Sequence, residues 1–271
     1  MLHGWIPPSR YFAYLTWPEI RDMPDKENVV ILQPLAAIEQ HGPHLPVAVD
    51  SVICTAVLGA ALEKLPADVP CYCLPPLCYG KSNEHIRFPG TVTLTAETLL
   101  RTLAEVADSI YRAGFRKLAI VNSHGGQPQV VEIAARDAHE RHPDFAVFPL
   151  FVWRIPGVAR DALTAKEREF GIHAGTAETS MLMALLPETV KADKLVCEYP
   201  DLPDGLLSME GARPFAWLTN DLSRSGALGD ATAASPELGR EMMGQLAEGW
   251  AALIAEMHGF RLPAASPGPL A

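Results

Sequence analysis

Residues 118–127 read Leu118-Ala119-Ile120-Val121-Asn122-Ser123-His124-Gly125-Gly126-Gln127. Four apolar residues run into a polar turn that holds one histidine and two glycines, which permit a sharp bend and close backbone approach. The apolar run reads as a buried strand. Before it, Leu99, Leu100, Leu103, Val106 and Ile110 recur at helical spacing, and Gly114 stands where a C-terminal cap belongs. After it, Gln129–His139 has helical character.

The same alternation continues in both directions. Val29–Leu32 reads as a buried strand, Ser51–Leu65 as a helix apolar around much of its circumference, and Cys71–Leu77 as a short strand ended by prolines. Phe145–Trp153 reads as a further strand and Glu178–Leu186 as a helix. Ser235-Pro236-Glu237 is an N-cap with proline at the first helical position. Met242, Leu246, Trp250, Leu253 and Met257 share that last helix's face, and Gly259 closes it. Alternating strands and helices imply an α/β fold whose mostly parallel sheet carries helices on both faces. Ligands of such sheets gather beyond the carboxyl ends of the strands, here after Leu32 and Val121.

Composition narrows the class. The 271 residues are 48% hydrophobic and 20% charged, with a formal net charge of −10. A chain of this apolar content buries a core, so the 24 prolines do not mark disorder. The acidic excess argues against nucleic-acid binding, which draws on Lys and Arg. No apolar run reaches the ~20 residues that span a bilayer. Met1–Arg10 lacks the order of a signal peptide, so a cytoplasmic location is expected. Cys54, Cys71, Cys73, Cys78 and Cys197 are odd in number and lack the paired knuckles of a zinc ribbon, so they read as ordinary thiols. No linker or repeat divides the chain. Residues 1–261 are expected to form one domain, and 262–271 a mobile tail.

Three histidine-bearing segments carry the chemistry. In Ile38-Glu39-Gln40-His41-Gly42-Pro43-His44-Leu45-Pro46, Glu39 and His41 share a side of extended backbone, and Asp50 follows just before the Ser51 helix. Carboxylate, imidazole and carboxylate together suit a first-row divalent cation; the plainer reading makes Asp50 an N-cap. His124 stands at a strand's carboxyl end, as a ligand or as a hydrogen-bonded structural residue. Neither a Walker A lysine nor G-x-G-x-x-G accompanies it. In His173-Ala174-Gly175-Thr176-Ala177-Glu178-Thr179-Ser180, Glu178 falls in a helix's first turn, where the dipole favours its charge. An ordinary histidine titrates near neutrality, so His173 is expected to suit proton transfer. Glu, His, Asp, His and Glu suffice for two divalent ions sharing a carboxylate.

These segments, with Ser82-x-Glu84-His85 and Phe88-Pro89-Gly90-Thr91 between them, resemble the creatininase (creatinine amidohydrolase) family, in that family's order over residues 29–187. Gly226-x-x-Gly229-Asp230 and Ala234-Ser235 look like its later segment. The resemblance implies a three-layer α/β/α sandwich, usually hexameric, so a homo-oligomer is expected. It also implies Glu39, His41, Asp50 and His124 as metal ligands, with Asp50 bridging, and His173 as the proton-moving histidine. Ser82 matches a loop that approaches substrate, and Phe88–Thr91 a turn that holds this loop. Creatinine-hydrolysing members carry a glutamate ligand where this chain has Gly126, so Glu178 becomes the candidate fifth ligand or proton acceptor. His-Gly-Gly branches include formylaminopyrimidine deformylases and a peptidase of mycofactocin maturation. Ser123 and Gln127 depart from the commoner Gly and Asn.

The function expected is therefore hydrolysis of a cyclic amide, formamide or small amide, with two ions (Zn²⁺, Mn²⁺ or Fe²⁺) and a metal-bridging hydroxide as nucleophile. Ser82, Gly125, Gly126 and Trp153 are the candidate substrate contacts. A peptidase trimming a short peptide would use the same chemistry. A phosphoesterase would need an anion clamp, for which Lys81 and Arg87 are the nearby cations. A non-catalytic metal-binding scaffold is the remaining alternative.

Overall fold

A computed structural model describes residues 1–155, 162–203 and 205–263; of the expected tail, 264–271 lie outside the described residues. After a short α1 (Trp17–Arg21), the chain alternates β1 (Val30–Leu35), α2 (Val49–Lys64), β2 (Cys71–Cys73), α3 (Ala96–Arg112), β3 (Lys117–Asn122), α4 (Pro128–Arg141) and β4 (Ala146–Phe151). Then follow α5 (Ala165–Phe170), α6 (Thr176–Leu185), β5 (Cys197–Glu198), α7 (Thr219–Leu222), β6 (Gly229–Asp230) and α8 (Pro236–Gly259). The first four strands form one parallel sheet in the order β2-β1-β3-β4. β5 and β6 make a separate antiparallel pair.

Side-chain alternation along the strands sorts the core into two halves. Val30 and Leu32 of β1 and Ala119 and Val121 of β3 pack with residues of α2, α6 and α8, including Ile53, Leu58, Leu182, Leu246 and Trp250. Ile31 and Leu35, with Leu118 and Ile120, pack with Leu99, Leu103, Ile110 and Val131 of α3 and α4. Helices thus cover both faces of the sheet, giving three layers. Each fully buried aliphatic side chain contributes about 1.5–3 kcal/mol, which fixes the register of strands buried on both sides.

Local signals place the helix ends. Ser235 Oγ accepts from Leu238 N at 3.2 Å, with Pro236 opening α8. Gly114 follows the C-cap of α3 with φ +100°. Other boundaries differ from the sequence reading. β1 runs three residues beyond Leu32, through Gln33 and Pro34. Proline is tolerated there because even-numbered residues of β1 face β2, whose regular pairing ends at Cys73. The same end cuts the expected Cys71–Leu77 strand short: Pro75 and Pro76 bring no N–H, although Leu77 N still reaches Pro34 O at 3.0 Å. Cys54, Cys71 and Cys73 are buried in the core as free thiols.

β1 sends its first connection through α2 to β2 on one side, and β3 lies on its other side. The crevice beyond the carboxyl ends of β1 and β3 is the topological switch point of the sheet.

Candidate metal centre

Three segments bring the site together at that crevice. The loop after β1 supplies Glu39 and His41, and its hydrogen bonds fix their orientation. Glu39 N donates to Val47 O at 3.0 Å, Gln40 N to Thr91 Oγ1 at 3.2 Å, and Gly42 N to Gln40 Oε1 at 2.9 Å. Gly42 takes φ +66°, which an L side chain rarely adopts. Asp50 lies inside α2, two residues after the N-cap Ala48, and caps nothing. This corrects its placement before the helix and removes the capping alternative.

His124 follows β3. Its backbone N donates to Asn122 Oδ1 at 3.0 Å, and Asn122 Nδ2 donates to His124 O at 2.8 Å. Ser123 Oγ bridges the end of β1 and the start of α2, sharing its one hydrogen between Leu35 O at 3.2 Å and Asp50 O at 3.0 Å. Gln127 Nε2 donates to Asn122 Oδ1 and Ala36 O, and its Oε1 accepts from Lys81 N. These bonds explain both departures from the commoner residues: each side chain ties the loops that carry the donors.

The third segment enters α6. Ala174 has φ +53°, local strain of the kind held at functional sites, and its N–H donates to Glu178 Oε2 at 2.6 Å. Glu178 therefore folds back across the helix entry. A buried carboxylate outside the sequence-read site secures this entry: Glu167 accepts from Thr176 N, Asp230 N and Tyr199 Oη.

The donors converge. His41 Nε2 stands 3.9 Å from Glu39 Oε1, 3.7 Å from Asp50 Oδ1 and 3.9 Å from Glu178 Oε2. His124 Nδ1 stands 3.0 Å from Glu39 Oε2 and 3.5 Å from Asp50 Oδ2. The two carboxylates thus each address both imidazoles. Glu39 Oε2, His41 Nε2 and Asp50 Oδ2 are buried without a hydrogen-bond partner among the described residues. Such orphaned polar atoms are costly unless something else meets them, and a divalent cation with N and O ligands fits this set.

With the protein's own charges alone, the electrostatics are those of compressed anions. Burial opposes ionisation of His41, but the carboxylates of Asp50, Glu178 and Glu39 outweigh it and raise its pKa to about 9. Burial, with the charges of Asp50 and Glu39, raises Glu178 to about 7 against the pull of His41. Burial also resists the charge on Asp50, yet the His124 and His41 imidazoles beside it hold its carboxyl well below the usual range. His173 is pushed well below its ordinary value by burial and by the charge of His41.

His173 lies between two imidazoles, with ring centroids 4.1 Å from His41 and 4.1 Å from His85. Its Nε2 donates to Gln40 O at 2.6 Å, leaving Nδ1 as the acceptor 3.7 Å from Glu39 Oε1. His44 turns away from the centre; its Nε2 meets Thr179 Oγ1 at 2.9 Å.

The candidate substrate contacts are less uniform. Gly125 is exposed and Gly126 half-buried beside His124. Ser82 is fully buried, its Oγ unpartnered and its N bonded to Thr93 Oγ1. Trp153 is half-buried against the core half that holds α2, α6 and α8. Lys81, considered as an anion clamp, is engaged by Gly126 O at 3.2 Å and Glu84 Oε2 at 3.7 Å.

Three residues near the centre had no assigned part in the sequence. Glu84 and His85 were visible only as members of a quoted motif; His85 Nε2 lies 3.4 Å from Glu39 Oε1, and Glu84 Oε1 lies 2.7 Å from His124 Nε2. Glu167 gave no signal, because it sits among Lys166, Arg168 and Glu169 like a solvated helix face.

A crevice of buried carboxylates and imidazoles at the switch point of a parallel α/β sheet is a donor set suited to divalent cations, as a metal-dependent hydrolase would need. Residues 13–254 match the family model Creatininase, described as creatinine amidohydrolase, and the chain belongs to this family of amidohydrolases. It is 32% identical over 225 residues to "Mycofactocin precursor peptide peptidase" of Mycolicibacterium smegmatis, covering 82% of this chain and 83% of that protein. It is 30% identical over 264 residues to "Creatinine amidohydrolase" of Pseudomonas putida, covering 92% of this chain and 97% of that one. Among solved structures, one described as "Creatininase Mn" superposes with a TM-score of 0.75 at 26% identity, covering 91% of this chain and 98% of that chain.

Proposed function

We propose that this protein hydrolyses a non-standard amide C–N bond, in a cyclic amide, a formamide or another small amide, with two divalent ions drawn from Zn²⁺, Mn²⁺ and Fe²⁺. The observation that carries the reading is the convergence of unpartnered buried atoms of Glu39, His41 and Asp50 beside His124. Glu39, His41, Asp50, His124 and Glu178 would hold the ions, and the two oxygens of Asp50, each nearer a different imidazole, suit a bridging role. Bound ions supply Lewis acidity, which makes water nucleophilic near neutral pH and polarises an amide carbonyl.

The remaining work falls to side chains. In hydrolysis the water oxygen bonds to the carbonyl carbon, the C–N bond breaks, and the leaving nitrogen takes up a proton. His173 suits that transfer: the Gln40 carbonyl holds its Nε2–H, so its bare Nδ1, beside the acid cluster, would take up the water's proton and pass it to the leaving nitrogen. Glu178 is the most exposed carboxylate of the set, at 15% against 1% for Glu39 and 4% for Asp50, so it borders the approach. It serves either as a ligand or as the acceptor of the water's proton. Exposed Gly125 leaves the backbone beside His124 open to a flat amide, with Gly126, Ser82 and Trp153 as further candidate contacts.

A peptidase that trims a short peptide is the second reading, favoured by the likeness to the mycofactocin precursor peptide peptidase. One experiment separates the readings: elemental analysis of the purified protein, with a turnover screen of lactams, formamides and short peptides. About two divalent ions per chain and turnover in either amide class are expected. Absence of divalent ions, or turnover unaffected by chelation, refutes the metal-dependent reading.

A further inference from the structure

The segment Ser82-Asn83-Glu84-His85 places a carboxylate against the back of His124. Glu84 belongs to a short turn of helix, Asn83–His85, whose backbone is anchored where Thr219 Oγ1 of α7 donates to Glu84 O at 3.1 Å. Its Oε2 is held 3.7 Å from Lys81 Nζ. Its Oε1 is buried without a hydrogen-bond partner among the described residues and lies 2.7 Å from His124 Nε2, whose one hydrogen goes to Lys81 O at 3.1 Å. The opposite ring nitrogen, Nδ1, faces Glu39 and Asp50.

Position 126 makes room for this arrangement. A Cβ built on Gly126 would overlap the Glu84 carboxylate and crowd His124 Nε2. Gly126 and Glu84 thus form a pair: the missing side chain of one is the space filled by the other.

We propose that Glu84 is the positioning carboxylate of this centre. The Lys81 carbonyl holds the hydrogen of His124 on Nε2, and the Glu84 charge beside that nitrogen favours this tautomer, which leaves the Nδ1 lone pair on the side of Glu39 and Asp50 and makes it a stronger donor to a cation there. Carboxylate partners of ligating histidines act in this way and carry about 10–100-fold in metal affinity. Glu84 needs no contact with substrate for this role. The inference rests on the metal reading given above.

The test is competition titration of chelator-stripped full-length protein with Zn²⁺, beside the ¹⁵N-detected ring resonances of His124 in the Zn²⁺-loaded state. Glu84→Ala is expected to bind Zn²⁺ about 10–100-fold more weakly and to shift the Nε2-bound proton of His124 upfield. Glu84→Gln keeps an acceptor oxygen without the charge and is expected to fall between the two, which separates positioning from general loss of fold. Affinity within twofold of the parent protein with an unmoved His124 resonance overturns the proposal. Loss of one whole ion at saturating Zn²⁺ with that resonance unmoved also overturns it, because Glu84 would then be a ligand. If the parent protein binds no Zn²⁺, the metal reading fails first and this inference with it.

Discussion

The carboxylate of Glu84 occupies the space that a side chain at position 126 would need, and Gly126 is the residue that lets it reach His124. A His-Gly-Gly sequence therefore does more here than turn the chain: its second glycine admits an acid from a distant loop. Gly126→Ala should displace Glu84 and crowd His124, weakening Zn²⁺ binding about 10-fold or more. Gly125→Ala should leave metal affinity unchanged, since its Cβ would meet only the Glu210 carboxylate at an ordinary 3.4 Å. Equal affinities for the two variants would break the link between Gly126 and the centre.

Ligand and proton carrier should separate under mutation. His124→Ala should lose bound metal and activity together. His173→Ala should keep its metal and turn over about 10²–10⁴-fold more slowly, the usual range for general acid–base help. Metal content and steady-state kinetics on the same preparations decide; a His173→Ala protein that has lost its ions would make His173 a ligand.

Glu167 should matter to stability rather than to chemistry. Its carboxylate satisfies two backbone N–H groups and the Tyr199 hydroxyl, and Gly175 and Gly229 pack against it. Glu167→Ala should cost about 2 kcal/mol or more, since buried donors are left unpaired. Urea unfolding measures this, and a loss below ~0.5 kcal/mol would contradict the part given to Glu167.

His44 should add an acid limb to stability. Burial, then the charge of His41, lowers its pKa from an ordinary 6.5 to about 4. The unfolded chain then takes up a proton that the folded chain refuses. The His44 contribution is fully present above pH 6.5 and is lost as pH falls towards 4. Unfolding free energies of metal-stripped protein across that interval should slope more steeply for the parent than for His44→Gln; parallel slopes would remove His44 from the account.

Much of the fold was legible because periodicity reports burial. Val30–Leu32 and Leu118–Val121 are apolar runs buried on both faces, and α3 and α8 show their stripes plainly. Gln33 and Pro34 hid the rest of β1, since their place in a strand depends on where its neighbour β2 stops. The candidate site was legible by residue type at Glu39, His41 and His124, metal-donor types in Gly- and Pro-rich turns, and at Asp50 and Glu178, carboxylates in the first turns of α2 and α6. It was not legible at Glu84 or Glu167, because a charged residue between polar neighbours looks solvated until another segment covers it.

The sequence by itself determined the alternation of elements, the end of the sheet at which the donors lie, and a donor inventory suited to divalent cations. These follow from local pattern and chemistry, which residues carry with them. Only the tertiary structure decided that Asp50 stands inside α2 between His41 and His124, that His173 offers Nδ1 rather than Nε2, and that Glu84 stands behind His124. Most of those relations join residues 40 or more positions apart, or depend on which ring nitrogen a distant carbonyl holds. Distance and direction across the fold belong to packing, and no spacing along the chain encodes them.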